Sequence, residues 1–332
     1  MSTILASIFV FLLVITLHEF GHFAAAKSVG IKVNEFAVGM GPKLFSKRKG
    51  ETLYSLRALP IGGFCAMEGE EQDSPDPRSF QKASLFHRFI VVIAGAGMNF
   101  ILAIIAFFIF SLLIGTQTTT IDRVIPDSPA KIAGLEKGDQ IVAINNKNVK
   151  SWGDIIEGIG SENKVLVKVQ RGEEYLSYTI PTKTEDGRRI IGISSQVERN
   201  PVKSFQFSLR ITGEVIGSIF MVFKMMFQRT LKTEMLAGPV GVVSMIGQSS
   251  KEGIPPLLFI LGLISANLGV VNLLPIPALD GGKLLFLAIE GIRGKPVPEE
   301  KEGLITIIGM AFLLSIMIYI TIFGDLKRLI TG

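Results

Sequence analysis

Residues 4–17 (ILASIFVFLLVITL) carry no charge, and the apolar run they open continues to residue 26. That reaches the roughly 20 residues a helix needs to cross a bilayer. Three later stretches share the pattern: 89–114, 257–291 with an internal break, and 303–323. Elsewhere the period changes. Residues 51–70 (ETLYSLRALPIGGFCAMEGE) form short alternating runs on either side of Pro60 and Gly62-Gly63, which predicts a hairpin. Strands at membrane depth persist only when buried in protein or lining a wet cavity, so a re-entrant sheet and an ordinary cytoplasmic hairpin both stay open. In 116–185, the runs TIDRVI, QIVAIN, VLVKVQ and YLSYTIP read as strands, punctuated by Ser128-Pro129-Ala130 and Gly138-Asp139. Across 203–232, Gln206, Arg210, Glu214, Gly217, Lys224 and Gln228 recur on one helical face. This predicts a helix lying on the membrane surface, with a polar stripe lining a cavity between spans as the competing reading.

The predicted fold class is a polytopic α-helical membrane protein of about four transmembrane helices, with a membrane-associated β-hairpin or re-entrant sheet and an inserted small α+β domain. The expected boundaries are a first span at 1–28 and a cytoplasmic-side loop at 29–88 holding the hairpin at about 51–68. A second span follows at 89–115, then the inserted domain at 116–185. A linker with the surface helix occupies 186–256, a broken third span 257–291, and a fourth span 303–324.

Composition agrees. The chain is 48% hydrophobic with mean hydropathy +0.45, too apolar for an ordinary soluble enzyme. Net charge is +5, but no basic-aromatic stripe suggests nucleic acid. The basic residues cluster in 27–88 and 292–302, so the positive-inside rule places both loops in the cytoplasm and both termini outside. Lys327 and Arg328 weigh against that orientation. The lack of any basic residue before Lys27 argues for a retained first helix rather than a cleaved signal peptide. Cys65 stands alone, which rules out an intrachain disulfide and a cysteine-based zinc cage.

The chemistry sits where the first apolar run ends. His18-Glu19-Phe20-Gly21-His22 places two histidines four residues apart on one helical face, within reach of one Zn²⁺, with Glu19 able to polarise a water. Ionisable groups inside a membrane helix are costly, so their default reading is functional. A catalytic zinc needs a third protein ligand and an open position. His87, beside Arg88, reads as an interfacial histidine. Asp280 is the stronger candidate: it follows Pro275 and Pro277, which must break the third span, and it opens a new helix. The alternative is that Asp280 only caps that helix. Asn272, also in an apolar run, could orient a substrate carbonyl or satisfy the unwound backbone of its own helix.

Residues 127–149 (DSPAKIAGLEKGDQIVAINNKNV) resemble a bacterial PDZ domain. HEFGH together with NLLPIPALDGG (272–282) resembles the paired signature of the site-2 family of intramembrane zinc metalloproteases, in the bacterial group related to the regulator of sigma-E protease. FAVGMGPKLF, PIGGF, AGAGMNF and GPVG look like further family segments, so the resemblance covers nearly the whole chain. It implies one Zn²⁺ held by His18, His22 and Asp280, with Glu19 as general base. It implies that Asn272 and the hairpin residues Leu59, Pro60, Ile61, Gly62, Gly63 and Phe64 hold the substrate as an added strand. The implied substrates are single-pass membrane proteins, anti-sigma-factor-like or signal-peptide-like, cut after their ectodomain is trimmed. The implied location is the bacterial cytoplasmic membrane, with the active site toward the cytoplasm and the PDZ domain outside. Three departures stand out: Ala96 replaces a frequent proline, Cys65-Ala66 replaces a frequent Val-Lys, and there is room for one PDZ domain only. A non-catalytic capture protein using its PDZ domain is the rival reading, and the intact HExxH with Asp280 argues against it.

Overall fold

The computed structural model describes residues 2–70, 72–160, 162–185, 187–228, 230 and 237–327. Arg328 and residues 229, 231 and 232 at the end of the expected surface helix lie outside the described residues. The chain divides into two compact units, one of residues 1–110 and 206–332, the other of 111–205.

Four helices of the first unit are long and apolar enough to cross a membrane: α1 (Thr3–Ser28), α2 (Leu85–Ile114), α7 (Ile254–Leu273) and the Glu300–Leu326 stretch that contains most of α9 (Glu299–Ile320). Ser2 caps α1 by accepting from the Leu5 amide. Ala6, Val10 and Val14, spaced by four, form the buried stripe of α1. They meet Leu102 and Ala106 of α2, Leu261 of α7, and Ile246 of α6 (Pro239–Glu252). Near the histidines α1 and α2 pack closely: a Cβ on Gly21 would overlap the Ala94 carbonyl, its carbon 2.8 Å away. The amphipathic segment is α5 (Pro201–Phe227), with Ser204, Ser208 and Thr212 buried.

Between α1 and α2 lie β1 (Val33–Lys49) and β2 (Thr52–Met67). The two runs flanking Pro60 do not pair with each other, unlike the simple hairpin expected. Residues 35–38 lie between them, facing 53–56 on one side and 63–66 on the other. Residues 43–49 pair with 52–57 beyond, giving four side-by-side segments from two bent strands. Glu35 ties the layers together. It accepts from Ser55 Oγ at 2.6 Å and Arg57 Nη2 at 2.7 Å, and pairs with Lys43 at 3.1 Å. Arg57 also stacks 4.7 Å from the centre of the Phe64 ring. At one end of the sheet Met40, Leu44, Phe45, Leu56, Leu59 and Ile61 are 48–69% exposed. A patch this apolar is a liability in water and ordinary in lipid.

The second unit is an α+β domain. Its sheet runs β10 (Ile193–Glu198), β3 (Thr116–Val124), β4 (Gln140–Ile144), β6 (Lys164–Arg171), β7 (Glu174–Pro181), with β5 (Lys147–Asn148) beside β4. A small ladder joins β8 (Lys183–Glu185) to β9 (Arg188–Ile190). Strict alternation in β6 buries Val165, Val167 and Val169 against α4 (Trp152–Gly160) residue Ile155. Ser128 caps the short α3 (Pro129–Ala133).

Asp139 is buried in this domain and grips Arg171 through two bonds, 2.6 Å to Nε and 2.8 Å to Nη2. Burial alone would raise the Asp139 pKa. The Arg171 bonds and the Glu136 amide outweigh it and hold the carboxyl below its ordinary range. The pair therefore stabilises the domain fully above the unfolded value of about 3.9, and that contribution is lost as pH falls through the lower folded value. Arg171→Ala strands a buried carboxylate and should cost about 3 kcal/mol, at the low end for such pairs because Arg171 is partly exposed. Hydrogen exchange of the β6 amides in the intact protein reads this. Unchanged protection would refute it.

Candidate metal centre

His18 and His22 occupy the last turns of α1, both below a tenth exposed. Asp280 arrives from the broken helix. After α7 ends at Leu273, the prolines keep residues 274–279 out of helix, and Ala278 takes a left-handed conformation (φ 79°) just before α8 (Asp280–Arg293) begins. The loop folds back so tightly that a Cβ on Gly281 would overlap the Leu274 carbonyl and lie 2.5 Å from the Leu273 carbonyl carbon. Gly281 is thus required for Asp280 to project from the first turn. Leu279, not Asp280, is the N-cap residue, and no side-chain cap bond forms there.

Three donor atoms converge. His18 Nε2 and His22 Nε2 lie 3.2 and 3.3 Å from Asp280 Oδ2, and 3.2 Å from each other. The imidazole planes are nearly perpendicular, at 88°. Asp280 Oδ2 is buried without a hydrogen-bond partner. Donors about 2.0–2.2 Å from a tetrahedral zinc stand about 3.3 Å apart, so this triangle has the size of one tetrahedral face. Oxygen and two imidazole nitrogens suit zinc, and the orphaned Oδ2 needs a cation. His22 Nδ1 lies 2.9 Å from the Val91 carbonyl, so its N–H donates there and its Nε2 lone pair stays free for metal. Among the described residues this is the only group of three such side chains, and exposed His87 is not part of it.

Glu19 stands beside the triangle. Its Oε2 accepts from the Cys65 amide at 3.0 Å, on the outer side of the 63–67 run, leaving Oε1 for a proton. A Cβ on Gly63 would lie 3.8 Å from Glu19 Cγ. A cavity of about 740 Å³ joins Glu19 and the triangle to Phe64, Glu70 and Lys283. Lys283 follows Asp280 by one turn of α8 and pairs with Glu70 at 2.5 Å. Leu59, Pro60, Ile61 and Gly62 sit farther along β2 and do not line this cavity. Asn272 Nδ2 is 3.4–3.5 Å from both ring nitrogens of His18.

A family model for peptidase family M50 matches residues 6–316. The chain belongs to peptidase family M50. This M50 chain is 37% identical over 325 residues to a Clostridium acetobutylicum protein assigned as a zinc metalloprotease, covering 96% of each. It is 32% identical to the zinc metalloprotease RasP of Bacillus licheniformis, covering 99% of this chain and 100% of that one. It is 30% identical to the regulator of sigma-W protease RasP of Bacillus subtilis, covering 99% of each. The Bacillus licheniformis alignment runs 420 positions, 88 more than the 332 residues here. Among solved structures, a PDZ domain of an SdrC-like protein from Listeria monocytogenes is 26% identical, covering 24% of this chain and 86% of that chain, with a TM-score of 0.21. The M50 assignment makes this a multi-pass membrane zinc metalloprotease of the intramembrane site-2 type.

Four contributors at the centre have no role in the sequence reading above: the Val91 carbonyl, Gly95, which packs on the His18 and His22 rings, Asn99, which approaches His18 Nδ1, and the Cys65 amide. Gly95 and Asn99 lie four apart in AGAGMNF, a polar residue and a small one on the same face of an apolar span. That is the signal that could have found them.

Proposed function

We propose that this M50 protease hydrolyses a peptide bond in or near the transmembrane segment of single-pass membrane proteins whose ectodomain has already been trimmed. The observation that carries this reading is the Glu19–Cys65 bond, which puts the base and an unpaired strand edge in one cavity with the metal ligands. A helix protects its own amides, so the scissile segment must unwind before water can attack. An edge that pairs with the unwound strand offsets the cost of exposing peptide groups in lipid. Phe64 would supply the part of that edge in the cavity, Leu59–Gly63 would guide the unwound strand toward it from farther along β2, and Asn272 would hold a substrate carbonyl.

His18, His22 and Asp280 would hold one Zn²⁺, which when bound supplies Lewis acidity toward water and the scissile carbonyl. Glu19 takes the proton of the attacking water at Oε1, while the Cys65 amide keeps the carboxylate aimed. Glu19 then gives that proton to the leaving amine. The C–N bond breaks, leaving a carboxylate on one fragment and an amine on the other. We read the HExxH end of α1 as cytoplasmic from the basic loops, and the inserted PDZ-like domain as a filter on the other side against bulky ectodomains. Anti-sigma factors and leftover signal peptides both fit these requirements.

Two measurements test the substrate reading. Gly or Pro placed near the scissile bond of a model single-pass substrate should raise its cleavage rate several-fold over a Leu/Ala version, because each lowers the cost of unwinding by about 1–3 kcal/mol. Ile61→Cys should cross-link to substrate cysteines close to the scissile bond and not to distant ones. Equal cross-linking along the whole substrate helix would remove the strand-addition role.

A further inference from the structure

Two asparagines approach the His18 ring, and their geometry gives them different work. We infer that Asn99 is a positioning residue whose side-chain oxygen accepts the His18 Nδ1 proton, whereas Asn272, at longer range from both ring nitrogens, does not set the ring's tautomer. This rests on His18, His22 and Asp280 holding one zinc.

Asn99 is fully buried in α2, with its amide nitrogen placed 3.2 Å from His18 Nδ1 and its Oδ1 buried without a partner. When Nε2 of an imidazole faces a metal, Nδ1 carries the ring proton and needs an acceptor. The placed amide would then set an N–H against an N–H beside an orphaned oxygen. Exchanging Asn99 oxygen and nitrogen, which differ little in size, removes both faults at once. Oδ1 gains a donor, and His18 gains the fixed tautomer that its mate His22 obtains from the Val91 carbonyl. The backbone supports this aim. The Asn99 carbonyl accepts from buried Ser265 Oγ at 2.8 Å, anchoring this turn of α2 to α7.

Asn272 is placed differently. Its Nδ2 stands 3.5 Å from Nδ1 and 3.4 Å from Nε2 of His18. The two ring nitrogens point their lone pairs in diverging directions, so an atom nearly equidistant from both lies along neither. Its long, shared contact therefore fixes neither ring nitrogen, unlike the 3.2 Å approach of Asn99 to Nδ1.

The test is metal binding in the full-length detergent-solubilised protein, read by chelator competition for zinc and by the visible spectrum of the cobalt form. Asn99→Leu should weaken zinc binding about 10- to 100-fold and alter the cobalt spectrum, because His18 loses its orienting partner. Asn99→Asp keeps an acceptor at the same place and should restore zinc binding to within about three-fold of wild type. Asn272→Ala should bind zinc as wild type does. Ser265→Ala, which removes a hydrogen bond to the Asn99 backbone and leaves its side chain in place, controls for packing and should also retain the metal. Wild-type zinc affinity and spectrum in Asn99→Leu would overturn the assignment, as would equal loss in Asn99→Asp. Wild type that binds neither zinc nor cobalt would refute the metal centre itself.

Discussion

Glu19→Gln should bind about one zinc per chain, as wild type does, and cleave a single-pass model substrate at least about 10³-fold more slowly. The amide matches the carboxylate in size and can still take the Cys65 N–H through its oxygen, so the aim of the side chain survives. What is lost is the basic site at Oε1, and an amide accepts no proton from water at neutral pH. Glu19 is not a corner of the ligand triangle, so metal occupancy should not follow activity. His22→Ala and Asp280→Ala each remove a corner and should lose zinc and cleavage together. The measurement is fragment release by purified protein in detergent, with metal quantified in the same preparations. Cleavage at the wild-type rate by zinc-loaded Glu19→Gln would end the general-base role. Loss of zinc in that variant would make Glu19 a ligand instead.

Much of this arrangement is legible in the sequence because its signals are local. The apolar spans follow from run length, and the HExxH face from the helical repeat. Asp280 announces itself as a charge beside two prolines in an apolar stretch. What is not legible is non-local. The alternation around Pro60 shows strands but not their partners, and residues 35–38 settle between the two runs only because β1 folds back on itself. FAVGMGPKLF has too many glycines to read as a strand by propensity, and the tertiary pairing overrides that. Asn99 and the Val91 carbonyl gain their roles from the crossing of α1 and α2, which no one-dimensional period encodes. Cys65 is a related case. Its side chain is ordinary buried packing near Met67 and Val92, and its importance to Glu19 lies in a backbone amide that any residue but proline would supply.

Gly95→Ala should abolish tight zinc binding, an effect out of proportion to one methyl group. A Cβ at this position would overlap His22 Nε2 and stand 2.5 Å from His22 Cε1 and 2.8 Å from His18 Cε1. Relief must come from the rings or from the helices. Separating the helices would open the close packing of Gly21 on the Ala94 carbonyl and stretch the His22 Nδ1–Val91 carbonyl bond across the same pair. The rings must therefore rotate, and rotation takes both Nε2 atoms off the 3.2–3.3 Å triangle that a single ion requires. Two of three ligands move at once, so the expected loss in zinc affinity exceeds the roughly 10- to 100-fold of a missing supporting bond. Activity falls with it. Gly97 provides the control in the same helix: nothing lies within 4 Å of its would-be Cβ. Gly97→Ala should bind zinc normally and gain up to about 1 kcal/mol of helix stability. Chelator competition and thermal unfolding on the two variants separate crowding at the metal from a general effect of glycine loss. Normal zinc affinity in Gly95→Ala would mean that α1 and α2 can part after all, and that the histidines are held less rigidly than their buried contacts require.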